Sequence, residues 1–283
     1  MFSRISLFLN SNKKIYLIVP YLLIALLLII LPIILIIFNA LKPLPNSSGN
    51  GYNDNWILLK EPATWNIILR SLRVGVAASI LCLLIGFPYA YFVSSSKSKI
   101  FQIYSMSLIL SPLAIFTIAR IYSLRILFVN LVSDSNSLNN ELFLIVGLMY
   151  LNLPLMVMPI YSVLKDMPKN IIEASNDMGY NTFQTVFKVI VPYSTKAILS
   201  GFGMIFLSSA TTFVVSAKLL PNGTQNQLIG DLINITINPG NKYDLAKGSS
   251  LVLVVSAIFI NIYSFILLMP RLIFKLKKGA HYE

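Results

Sequence analysis

The residues of this chain that could do chemistry are few, and their spacing does not suit catalysis. The single cysteine, Cys82, excludes an intrachain disulfide framework and a thiolate zinc site. The single histidine, His281, lies among the last three residues, so no histidine-based metal centre is expected and the metal ligands number none. No GxxxxGK[ST] string occurs to cradle a nucleotide, and neither HExxH nor GxSxG is present. Each of the ten Asp and Glu falls in a polar connection or at the end of an apolar run, whereas an intramembrane proton relay needs one well inside. Arg120 and Arg125 are the nearest approach to intramembrane charges. Five positions apart, they share no close helix face, and reaching out to the interface accounts for them as well as a role inside does. These absences exclude an enzyme and leave no energy source within the chain.

What remains is a mechanical element. The stretch 166–196 reads DMPKNIIEASNDMGYNTFQTVFKVIVPYSTK. Pro168 and Asn170 open a helix, and Gly179 ends it with the backbone freedom a turn needs. A second, amphipathic helix is predicted from Phe183, Val186, Phe187 and Ile190 at i, i+3, i+4 and i+7, with Pro192 interrupting it before the next apolar run. Glu173 serves either to pair with a basic group on a partner or to cap its own helix.

The elements that must present this loop follow from composition. Apolar residues make up 56% of the 283 and charged residues 11%, less than half the ~25% of an ordinary globular protein. Mean hydropathy is +0.76. A net charge of +12 on a soluble chain would suggest nucleic acid. On a membrane chain its placement matters more than its sum, and no nucleic-acid partner is expected. Crossing ~30 Å of hydrocarbon takes about 20 apolar helical residues. The expected fold class is therefore all-α: a polytopic membrane protein with six spans near 15–41, 72–94, 101–128, 142–165, 197–219 and 249–270. Residues 1–14 form a cytoplasmic segment, either a short interfacial helix or a polar start, and 271–283 a cytoplasmic tail. Ser105, Ser107, Ser111, Pro112 and Thr117 dilute the third span. With both termini in the cytoplasm, thirteen of the 22 Lys and Arg fall inside and the acidic residues lean outside, as the positive-inside rule favours. The composition leans to Ile, Asn and Lys, as in an A+T-rich bacterial genome, so the expected location is a bacterial plasma membrane, the inner one where there are two.

Glu173, Ala174, Gly179, Val189 and Pro192 fall at the spacing of the signature EAA-x3-G-x9-I-x-LP, with Ser175, Val189 and Val191 as departures. The loop lies between the fourth and fifth expected spans. In this the chain resembles the permease subunits of type I ATP-binding-cassette importers. From about 66 to 270 it looks most like those of spermidine/putrescine systems, through GFPYAYFVSSS (86–96), ARIYSLRILF (119–128), NLPLMVMPIYSVL (152–164) and NQLIGDLI (226–233). The resemblance implies a permease fold whose 166–196 loop is a coupling element seated on an ATPase, with Glu173, Ala174, Ser175, Gly179, Phe183, Phe187 and Pro192 as its coupling residues. It also implies a complex with a second permease subunit, two copies of an ATPase and an extracellular substrate-binding protein. That protein would be tethered as a lipoprotein where no outer membrane exists. ATP and Mg would be bound by the ATPase, leaving this chain without a cofactor. One departure bears on substrate. Polyamine permeases of this kind often carry an acidic residue near the outer end of the fifth span, where this chain reads Val215-Ser216-Ala217-Lys218.

The substrate path is sought in the fifth span, which is rich in Gly201, Gly203, Ser208, Ser209, Thr211 and Thr212. Small faces serve close helix packing in lipid equally well. As a path, Ser209, Thr212 and Phe213 would face Phe116, Tyr122 and Ser123 of the third span, the aromatics suiting a cationic amine. Asp134, Glu141 and Asp231 either draw a polycation to the outer face or touch the binding protein. The competing readings are a permease for another small solute, or a stand-alone channel or secondary carrier, which would leave the signature loop without a purpose.

Overall fold

The computed structural model describes residues 19–45, 52–132, 138–168, 170–220 and 227–279. Residues 1–14, the first positions of the expected first span, Asp134 and the last residues of the tail lie outside them. Among the described residues there is no β-strand, only an isolated antiparallel bridge between Pro45 and Tyr52. The helices are α1 (Val19–Leu41), α2 (Ile57–Lys60), α3 (Pro62–Ser95), α4 (Lys99–Ala114) and α5 (Thr117–Leu131). After them come α6 (Glu141–Lys165), α7 (Asn170–Asp177), α8 (Thr182–Ala210), α9 (Val215–Leu219), α10 (Ile229–Thr236) and α11 (Lys242–Gly279). Five are long and apolar enough to cross a membrane, and a sixth crossing is available if the bent pair α4 and α5 is one span.

The chain divides into two compact units. The first comprises residues 1–60 and 236–256. In it α1 is apolar on every side and almost wholly exposed, as only lipid or protein cover allows. Its end is capped from a distance: Asn55 Nδ2 donates to the carbonyls of Ala40 (3.1 Å) and Lys42 (2.9 Å). Ser250 of α11 donates in turn to the Asn55 carbonyl. Asp54 pairs with Lys60, which with the Trp56 amide holds its carboxyl below the usual range.

The second unit comprises 61–235 and 257–283, and its centre is the mutual packing of α3, α6 and α8. One apolar cluster gathers Val74, Ala78, Ile121, Leu144, Leu148, Val215 and Leu219. A second gathers Cys82, Ala90, Met156, Val157, Ile160, Ile190 and Ile205. Met156 is fully buried between two helices whose approach depends on Gly86 and Gly201, where an added Cβ would lie 3.0 and 2.9 Å from its side chain. Helix starts follow local chemistry. Pro62 stands in the first turn of α3, Ser98 caps α4 through the Phe101 amide, and Asn140 caps α6 through Leu142.

Three expectations change. The third span is not one rod: α4 and α5 meet at 98°, the break following a 3-10 turn over Ser111–Ala114 that contains Pro112. The fifth span does not run to 219, because α8 stops at Ala210. There Thr211 Oγ1 bonds back to the Leu207 carbonyl (2.7 Å), and a run of β-branched and aromatic residues leaves helical geometry before α9. Pro192 does not interrupt its helix. A π-turn, Val186–Ile190, precedes it, with Val191 N–H bonding to Val186 O, and the wider turn accommodates the ring that would otherwise strike the carbonyl four residues back. Leu26–Ile30 does the same before Pro32 in α1. The core packing has a measurable consequence: Met156→Ala, emptying the socket between α3 and α8, lowers stability by about 2 kcal/mol or more. Denaturant unfolding of the purified chain in mixed micelles reads this, and a wild-type midpoint would contradict it.

Candidate functional site

The 166–196 loop, expected to couple to a partner, is built by short-range rules. Helix α7 closes in a Schellman turn: Gly179 N–H donates to Asn176 O (2.8 Å) and Tyr180 N–H to Ser175 O (3.2 Å). Gly179 takes φ of +79°, the single positive-φ glycine among the described residues. Asn181 and Gln184 then form a reciprocal capping box that starts α8 two residues later. The two arms are joined by Ser175 Oγ and Thr185 Oγ1, 2.8 Å apart and both buried. Lys188 lies 4.8 Å from the centre of the Tyr180 ring.

This arrangement sorts the expected coupling residues. Glu173, Ala174 and Gly179 are exposed, and so are Phe183 (77%) and Phe187 (67%), with Met178 (64%) beside the turn. Ser175 is fully buried and faces its own chain, where its hydroxyl ties α7 to α8. Pro192 is exposed at the second position after the π-turn. The expected apolar stripe is divided: Ile190 joins the core and Val186 is half-buried, while Phe183 and Phe187 point away, because the π-turn rotates the register between them.

The expected path residues are not gathered in one place. Phe116 stands at the break between α4 and α5 and is 85% exposed. Tyr122 and Ser123 lie on the exposed side of α5, Ser123 bonding back to Ala119 O at 2.9 Å, and the buried side carries Arg120, Ile121 and Phe128. Ser209 is fully buried, Thr212 half-buried and Phe213 exposed. Among the described residues no hydrogen bond joins the α5 trio to the other three. Arg120 does not reach out to an interface. It is buried, with Nη2 donating to Thr117 Oγ1 (3.3 Å) and neither Nε nor Nη1 partnered within the described residues. Arg125 Nη1 donates to the Lys218 carbonyl at 3.2 Å, bringing α9 against α5.

Two polar centres stand out: one escaped the sequence, and the other, Asp231, was expected only as an outer-face acid without its partners. Asn152, in the middle of α6, donates to Leu148 O (2.9 Å) and Ser209 Oγ (3.2 Å) and accepts from Ser208 Oγ (2.9 Å). It ties α6 to the last turn of α8. A lone amide inside an apolar run was the signal available. The other is Asp231. Its Oδ2 accepts from Ser216 Oγ and from Leu228 N–H (3.3 Å), and burial pushes its carboxyl up to about 6. A carboxylate thus stands at Ser216 after all, delivered from α10 rather than from 215–218 itself. Glu141, by contrast, is neutralised by Arg70 (3.3 Å) and Arg73 (3.5 Å). For the loop, the geometry fixes a test. A Cβ at Gly179 meets nothing within 4 Å, so Gly179→Ala strains φ without a clash. The cost is about 1 kcal/mol, and the Gly179 and Tyr180 amides should exchange with solvent about fivefold faster. Unchanged exchange would mean the turn is not held as described.

Residues 83–272 match the family model described as "Binding-protein-dependent transport system inner membrane component". A curated relative from Mycoplasma genitalium, named spermidine/putrescine transport system permease protein PotB homolog, is 27% identical over 274 residues, covering 93% of this chain and 95% of that one. The Escherichia coli protein named spermidine/putrescine transport system permease protein PotB is 30% identical over 199 residues, covering 64% of this chain and 70% of that one. Among solved structures, a chain of a bacterial ABC transporter for the acidic polysaccharide alginate aligns with a TM-score of 0.65 at 16% identity, covering 90% of this chain and 96% of that one. The loop's signature spacing, the bundle of apolar helices and the match across two thirds of its length agree: the chain belongs to the family of binding-protein-dependent transport system inner membrane components, the multi-pass permeases of ABC importers.

Proposed function

We propose that this permease imports polyamines, spermidine and putrescine, driven by ATP hydrolysis in a separate subunit. The substrate reading is carried by the relatives of that name, one of which this chain matches over nearly its full length. The coupling reading is carried by one observation of the structure. The glycine-turn loop between α6 and α8 exposes Glu173, Ala174 and Met178 together with the rings of Phe183 and Phe187. Such a face, apolar rings beside the carboxylates of Glu173 and Asp177, suits a cleft on a partner protein better than water.

In this reading the loop seats on one of two ATPase copies, which bind ATP and Mg, while a second permease completes the path and an extracellular binding protein delivers substrate. Glu173 pairs with a basic group of the ATPase. The buried Ser175–Thr185 contact makes α7 and the start of α8 move as one piece, so that a push on the loop reaches α8 and the Asn152 node at its far end. The distribution of Lys and Arg supports a topology with both termini and this loop in the cytoplasm. A permease for a different solute is the second reading, since the alginate transporter shares the fold.

Uptake of labelled spermidine and putrescine into cells carrying all the subunits tests both halves. Strains lacking this chain, or carrying Glu173→Ala with Gly179→Asp, should lose at least nine tenths of uptake while the altered chain stays in the membrane. Wild-type uptake in both strains would remove the polyamine assignment. Loss in the deletion strain alone would remove the coupling account.

A further inference from the structure

At the end of α8 opposite the 166–196 loop, a buried carboxyl group lies next to a turn packed on the helix's last carbonyls. Asp231, in the first turn of α10, is only 3% exposed, and its described hydrogen bonds, from Ser216 Oγ and Leu228 N–H, both fall on Oδ2. The same turn is pressed onto the carbonyl end of α8: a Cβ on Gly230 would lie 2.4 Å from the Thr212 carbonyl oxygen and 2.5 Å from that of Thr211. It is fixed from the other side by Ile229 N–H, which donates to Ser71 Oγ of α3 at 2.8 Å. Carbonyls past a helix C-terminus carry partial negative charge. Among the described residues no Lys or Arg lies within ion-pair distance of Asp231, although Asp54, Glu141 and Asp244 each have such a partner.

A carboxylate this covered is costly unless a cation offsets it, and hydrogen bonds to Ser216 and Leu228 would be met as well by a neutral amide. Burial holding the Asp231 carboxyl up near 6 reflects that cost. A covered carboxylate short of a cation can take one up in a state of the transport cycle that opens the site. We propose that Asp231, with the Ser216 hydroxyl on its Oδ2, binds an ammonium group of the transported polyamine. The inference rests on the polyamine reading above and assigns that reading its cation-binding carboxylate.

The test uses the complete complex in proteoliposomes with saturating spermidine-loaded binding protein, and follows both labelled spermidine entry and ATP hydrolysis. Asp231→Asn keeps the shape and the Leu228 and Ser216 hydrogen bonds but removes the charge. It should slow transport about tenfold or more, the order expected when a charged hydrogen bond is lost, while ATP hydrolysis stimulated by the binding protein stays within about twofold. Asp231→Glu should recover part of the transport rate. Wild-type transport by Asp231→Asn would overturn the proposal. So would an equal fall of transport and ATP hydrolysis with a lowered unfolding temperature, which marks a purely structural carboxylate. A wild-type complex that moves neither spermidine nor putrescine would instead sink the polyamine reading, and this site with it.

Discussion

Inside a bilayer no water is available to a free backbone N–H or C=O, and that constraint governs the chain's local shape. Helix is the default, and departures from it occur only where something else satisfies or accommodates the backbone. The two π-turns illustrate this. Each sits directly before a Leu-Pro or Val-Pro step, at Pro32 and Pro192, and lets an apolar helix continue through a residue that lacks an amide hydrogen. The two true breaks are treated differently. At Ile115–Phe116 a 3-10 turn makes the corner, and at Thr211–Val214 the freed carbonyls are covered by α10.

The break in the fifth span organises much of the second unit. Because α8 ends at Ala210, its last turn can be held by Asn152 from α6 through Ser208 and Ser209. Because α9 then turns aside, Leu219 and Val215 can enter the cluster with Ile121 and Phe128 of α5. Asp231 reaches Ser216 for the same reason. A straight span to 219 would have carried Ser216 away from α10, and the carboxylate would have no place to bind.

The 166–196 loop relies on the opposite principle, local closure. Its Schellman turn, capping box and Ser175–Thr185 bond lie within eleven residues and require no distant partner. A compact, self-held piece of this kind can be pushed as a unit. The rings of Phe183 and Phe187 take no part in this closure and stay exposed.

Local chemistry made part of this legible without a structure. The all-α class and the apolar spans follow from hydropathy. The turn at Gly179 follows from glycine alone tolerating φ of +79° cheaply. The signature spacing that marks the family depends only on sequence order. Proline was misread where its neighbours decided the outcome: Pro192 looked like a stop, yet a one-residue change in helix pitch absorbed it. The site residues divide along the same line. Glu173 and Phe183 are exposed because of helix phase within one short segment. Asn152 and Asp231 owe their surroundings to other helices, with partners as many as 57 positions away, and no short window on the sequence contains them. Sequence determined the composition, the helices and the loop, because these depend on neighbours along the chain. Only tertiary structure decided which polar side chains meet inside, because burial is fixed by which helix faces pack.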